Sequence, residues 1–68
     1  MILVFKTTVF SEIEFHIQAF LDSFSTIKSI DFDFEDVDNV LRIEASQNIT
    51  TEIENLLNSK GFLCEELV

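Results

Sequence analysis

The sequence predicts an α+β fold: one four-stranded antiparallel sheet with two helices packed on one of its faces. Three observations predict it. Apolar residues recur along the chain with period two, then about 3.6, then two, two, 3.6 and two, which orders the elements βαββαβ. The joining segments are short, and none is rich in proline or glycine, the chain having no proline and one glycine. Apolar residues make up 47% of the chain and eight of them are Phe, enough large side chain to close a core. A chain of 68 residues buries only about 60% of its unfolded surface, so there is room for one core, and residues 1–68 are expected to form a single domain.

Residues 2–8 form a β-rich run, with Leu3, Phe5 and Thr7 on one side and Ile2, Val4 and Lys6 on the other. SEIE follows, in which Ser11 can cap a helix and Glu14, three residues on, can return the bond; Phe10 and Phe15 are spaced as a hydrophobic staple. Ile13, Ile17, Phe20, Leu21 and Phe24 then repeat at helical spacing and form the predicted core stripe. From Lys28 the period is two: Ile30, Phe32 and Phe34 point inward, and Ser29, Asp31, Asp33 and Glu35 outward. Residues 36–39, DVDN, have turn chemistry, and in the returning strand Leu41, Ile43 and Ala45 alternate with Val40, Arg42 and Glu44. Ile49, Ile53, Leu56 and Leu57 mark a second helix that starts between Asn48 and Thr51. Gly61, just past its last turn, suits a left-handed helix end, and residues 62–67 make the last strand. Two right-handed βαβ crossovers in this order give the ferredoxin-like layout, whose strand order 4-1-3-2 puts the first and third strands at the centre and leaves one sheet face uncovered.

Charge and cysteine content narrow the function. Four Lys and Arg stand against thirteen Asp and Glu, a net charge of −9, which repels nucleic-acid phosphate and anionic lipid alike. Neither nucleic acid nor a membrane is an expected partner. The longest apolar run, residues 1–5, is far short of a span, and the lone Cys64 fits a reducing compartment, so a cytoplasmic location is expected. No nucleophile stands beside a base and no Gly-rich phosphate loop exists, so an enzyme is not expected, nor a cofactor. Residues 31–39, DFDFEDVDN, hold five acids in nine positions. A calcium loop counted from Asp31 needs Gly at its sixth place and Glu at its twelfth, where Asp36 and Arg42 stand. The stretch is read as a solvated strand face, with Arg42 and Lys6 offering cross-strand ion pairs to Asp31 and Asp33.

Taken together, the βαββαβ frame, IKSIDFDFED as second strand, and EIENLLNSKGF as second helix with its terminal Gly-Phe resemble the heavy-metal-associated domain of copper chaperones and metal-transport ATPases. The resemblance implies a ferredoxin-like fold and, in the family, a Cys-x-x-Cys pair in the turn after the first strand, where two thiolates converge on one soft ion. Here that turn reads TTVFSEI, and the resemblance places Phe10 and Ile13 where the cysteines would stand, with Thr8 at the preceding Met. The chain is thus similar to a degenerate member without the metal site. Related frames fail as well: an acylphosphatase needs an arginine in the first turn and none precedes Arg42, an RNA-recognition sheet needs basic and aromatic residues on its open face, and a ligand-binding ACT domain needs a Gly-rich loop.

What is left is an interaction surface. On the open face Ile2, Val4, Leu63 and Leu67 are expected to be neighbours, joined by Val40, and to bind a protein partner or a second copy as a homodimer. The alternative is soft-metal binding, copper or zinc, through unconventional ligands; the candidates are Cys64, read as a buried thiol on the helix-covered side, and His16, read as a stripe-edge residue held by Glu12.

Overall fold

The computed structural model describes residues 1–35 and 37–67. Strand β1 spans Ile2–Thr7, a 3-10 turn Ser11–Ile13 leads into helix α1 at Glu14–Leu21, β2 is Ile27–Asp33, β3 is Val40–Ala45, α2 is Thr50–Ser59 and β4 is Cys64–Glu66. The sheet order is β2-β3-β1-β4, the expected 4-1-3-2 met from the other edge, and all three pairings are antiparallel. Both helices lie on one face. Between them and the sheet sits the core: Leu3 and Phe5 of β1, Leu41 and Ile43 of β3, Ile17 and Leu21 of α1, and Ile53 and Leu57 of α2, all buried.

Local chemistry explains most element ends. Gly61 has φ +91° and closes α2 as a Schellman motif, with the Phe62 N–H donating to the Leu57 carbonyl and the Gly61 N–H to that of Asn58, each at 3.0 Å. The helix starts inside the expected window, where Asn48 Oδ1 accepts the Thr50 N–H at 3.0 Å. In the β2–β3 connection Asn39 takes φ +46°, a conformation its short amide side chain tolerates; Asp36, assigned to the same turn by sequence, lies outside the described residues.

Several expectations need correction. The capping box does not form: the Ser11 hydroxyl donates to Glu12 Oε1 at 2.6 Å, the 3-10 turn intervenes, and α1 begins at Glu14 without a side-chain cap. The Phe10–Phe15 staple is absent too. Phe10 turns its ring edge to Phe62, with centroids 6.5 Å apart, while Phe15 stands in solvent. Phe20 leaves the core stripe and lies under Lys60, whose Nζ is 4.3 Å from the ring centroid. Strand β4 is three residues long rather than six, although the Thr8 N–H to Leu63 carbonyl and Leu67 N–H to Val4 carbonyl bonds continue its pairing with the β1 side at both ends. Arg42 does pair with Asp31, at 3.7 Å, but Lys6 pairs with Glu65 of adjacent β4, at 3.9 Å, because β3 separates β1 from Asp33.

Candidate functional site

Three connections meet at one end of the sheet: the segment after β1, the β2–β3 turn and the segment before β4. Hydrogen bonds tie them together. The Thr7 N–H donates to the Asp38 carbonyl at 3.0 Å and its hydroxyl to the Asn39 carbonyl at 2.8 Å, while the Asn39 amide donates to the Val9 carbonyl at 2.9 Å. Thr8 is bound to Leu63 twice, through its N–H at 3.1 Å and through its hydroxyl oxygen, which accepts the Leu63 N–H at 3.0 Å. This knot fixes the turn in which the family resemblance expects two thiolates. At the two corresponding places stand Phe10, 47% exposed with its ring on Phe62, and Ile13, which packs against the core. Neither has an electron pair to give, so the turn does not fit a soft metal ion. The cleft beside it, lined by Lys6, Thr7, Thr8, Asp38, Leu63 and Glu65, measures about 260 Å³, below the roughly 300 Å³ at which small-molecule pockets begin.

The two candidate metal ligands are kept apart in chemistry and in place. Cys64 is buried on the helix-facing side of β4; burial, and after it the charge of Glu54, push its thiol up to about 12. A thiol held protonated is a poor ligand and a poor nucleophile. His16 is exposed on α1 with its ring edge-on to Phe15, centroids 6.0 Å apart, and Glu12 spends its carboxylate on Ser11 rather than holding it. Among the described residues no group of three His, Cys, Asp or Glu is arranged to hold a metal ion.

The open face is less continuous than expected. Ile2 is 55% exposed and Leu67 39%, with half-buried Val4 between them; Leu67 lies against Val4 through its N–H bond to the Val4 carbonyl, 2.8 Å. Leu63 is exposed but sits beside Thr8, and the Lys6–Glu65 ion pair separates it from Leu67. Val40 is a correction: it is only 7% exposed, set between Lys6 of β1 and Asp33 of β2, and offers no contact area. Sequence reasoning missed exposed apolar groups elsewhere, above all Phe15 and Phe20 on α1. The signal was present in EFHIQAFL, where apolar residues are not confined to one side of the helix.

No protein-family model matches the chain, and no curated protein matches it. A solved structure does, the solution structure of the Atx1–Cu(I)–Ccc2a complex, with a TM-score of 0.79 and 18% sequence identity over 98% of this chain and 94% of the other. The resemblance to heavy-metal-associated domains therefore holds as a likeness of fold across nearly the whole chain. That structure contains Cu(I) and two proteins in complex.

Proposed function

We propose that this chain is a small acidic, non-catalytic protein-interaction module, built on the frame of a metal-handling domain but working without the metal. The observation that carries it is the uncovered sheet face, where Ile2, Val4 and Leu67 adjoin without charge between them, more apolar surface than isolated exposed side chains supply. The turn without thiols at Phe10 and Ile13 and the buried Cys64 thiol, whose ionisation burial opposes, support the absence of soft-metal chemistry, and the neighbour's assembly with another protein is in keeping with a contact role. Among the described residues no helix is long and apolar enough to cross a membrane, in keeping with a cytoplasmic module.

The expected result of Val4→Lys with Leu67→Lys is a domain that still folds, though less stable by about 1–2 kcal/mol because Val4 is half-buried opposite Arg42 and the two lysines face one another, and that no longer retains partner proteins in affinity capture. Undiminished capture by the double variant would overturn the assignment to this face. Anaerobic titration of the reduced protein with Cu(I), followed by native mass spectrometry, is expected to show no complex tighter than about 1 μM. Uptake that disappears in Cys64→Ser would instead establish the metal-binding alternative.

A further inference from the structure

The two edges of the sheet are finished differently. An edge strand carries a row of backbone N–H and C=O groups with no neighbour to bond. Strand β4 is three residues long, and its Glu66 N–H already donates to Glu54 Oε2 at 3.0 Å. Strand β2 has seven residues, with an irregularity between Ile27 and Ser29 that leaves residues 29–33 in regular register. That register shows which groups face outward. Met1 and Ala45 exchange both backbone bonds, at 2.7 and 2.9 Å, so the odd residues of β3 bond β1 and the even ones bond β2. The partners of those even residues are Ser29, Asp31 and Asp33, which leaves the N–H and C=O of Ile30 and Phe32 pointing away from the sheet. Among the described residues no group of the chain bonds them.

We propose that the β2 edge accepts an extended segment of a basic partner protein, added antiparallel as a further strand over residues 29–33, with apolar residues alternating with Lys or Arg. The backbone requires an extended occupant, since only a strand brings donors and acceptors to both Ile30 and Phe32. The two faces then specify its side chains. On the helix side Ile30, Phe32 and Phe34 are only half-buried, the two rings stacked with centroids 5.2 Å apart, because the core stops at this edge. Apolar side chains at alternate positions of an added strand would cover them. On the open side Asp31 and Asp33 are both exposed; Arg42 offsets Asp31 at 3.7 Å, whereas Asp33 stands opposite Val40 and has no cation across from it. Residues added opposite these two acids fall in non-hydrogen-bonded pairs, with Cα atoms about 4.5 Å apart, the closer of the two spacings, so Lys or Arg there gains most.

The same acids turn away other occupants. An acidic strand would meet like charge at both places. A second copy fares no better: joining Ile30 of one β2 to Phe32 of another opposes Asp31 to Asp31, between chains of net charge −9. The edge extends the reading of the chain as a contact module to a second surface. Strand β3 separates it from β1, which carries Ile2 and Val4, so either surface can fail without the other.

The test is amide NMR of the isotope-labelled chain during titration with the acetylated and amidated peptide Lys-Val-Lys-Val-Lys-Val-Lys to about 1 mM. Shifts are expected along β2, with slowed hydrogen exchange at Ile30 and Phe32. In the added strand the valine N–H groups face β2 and the lysine N–H groups face water. N-methylation of the lysine amides should therefore preserve binding, and N-methylation of the valine amides should abolish it. Asp31→Asn with Asp33→Asn keeps side-chain size and an oxygen for the Glu35 N–H, and should weaken binding about three- to tenfold. A β2 that stays silent at the highest concentration would overturn the proposal. Equal binding of the two methylated peptides would overturn it too, because attraction by diffuse charge alone is indifferent to which backbone edge is blocked. Shifts confined to Ile2, Val4 and Leu67 would reject the edge and favour the open face. Partner capture that survives Val4→Lys with Leu67→Lys, while β2 still responds to the peptide, would support the edge and count against the open-face reading alone.

Discussion

Phe5→Ala is expected to bring the chain to the margin of unfolding at 25 °C. Phe5 is fully buried in central strand β1, opposite Leu41 of β3 and Glu66 of β4, and its ring lies in the layer that both helices cover. Truncating a buried Phe to Ala costs about 3–5 kcal/mol, through lost transfer energy and the cavity left behind. A chain of 68 residues, at roughly 0.05–0.15 kcal/mol per residue, has about 3–10 kcal/mol to lose. With no disulfide and no metal site among the described residues to offset the loss, the substitution consumes most of the stability. The chain lacks Trp and Tyr, so far-UV circular dichroism in a urea series, with amide NMR dispersion alongside, is the suitable readout. Phe15→Ala is the control: the same truncation at an 81% exposed position should shift the midpoint by no more than about 0.5 kcal/mol. A cooperative Phe5→Ala transition near the original midpoint would mean that the core does not depend on β1 as described.

The elements were legible in the sequence because period two and period 3.6 are incompatible on one segment, and outside α1, where Phe15 and Phe20 depart from the core stripe, this chain keeps each period. Leu41, Ile43 and Ala45 alternate inward as read, and Gly61 ends α2 because only a left-handed residue closes that turn. What failed depended on neighbours distant in sequence. SEIE has the composition of a capping box, but Phe10 finds Phe62, 52 residues on, and the 3-10 turn that seats it displaces the cap. Lys6 pairs with Glu65 rather than Asp33 because strand adjacency, not alternation, selects cross-strand partners. Val40 alternates outward as expected and is buried all the same, set in mid-sheet between β1 and β2. The candidate site was legible mainly as an absence: a turn without thiols can be recognised in one dimension, whereas a continuous apolar patch requires the register of three strands. The exposed face of α1 lies between these cases, since its apolar composition is visible in the sequence but its exposure is not.

Stability is expected to fall as pH rises above 9, with Cys64 as a principal cause. The thiol moves from an ordinary 9.0 to about 12 on folding, because burial disfavours the thiolate and Glu54 adds a second negative charge nearby. Glu54 is held there by the chain itself, its Oε2 accepting the Glu66 N–H from β4 at 3.0 Å. Between these values the unfolded chain has lost the Cys64 proton and the folded chain retains it, so the folded state binds more protons and each rise in pH favours unfolding. The contribution is fully present below pH 9 and is lost toward pH 12, with a limiting slope of about 1.4 kcal/mol per pH unit. Lysine deprotonation also acts in this range, so the informative quantity is a difference: urea midpoints measured from pH 7 to 11 should converge between the original chain and Cys64→Ala as pH rises, since the variant has no thiol to lose. Parallel curves would show that the thiol ionises as readily folded as unfolded. That outcome would reach function as well, because an accessible thiolate on β4 is the soft donor that a metal-free reading requires to be absent.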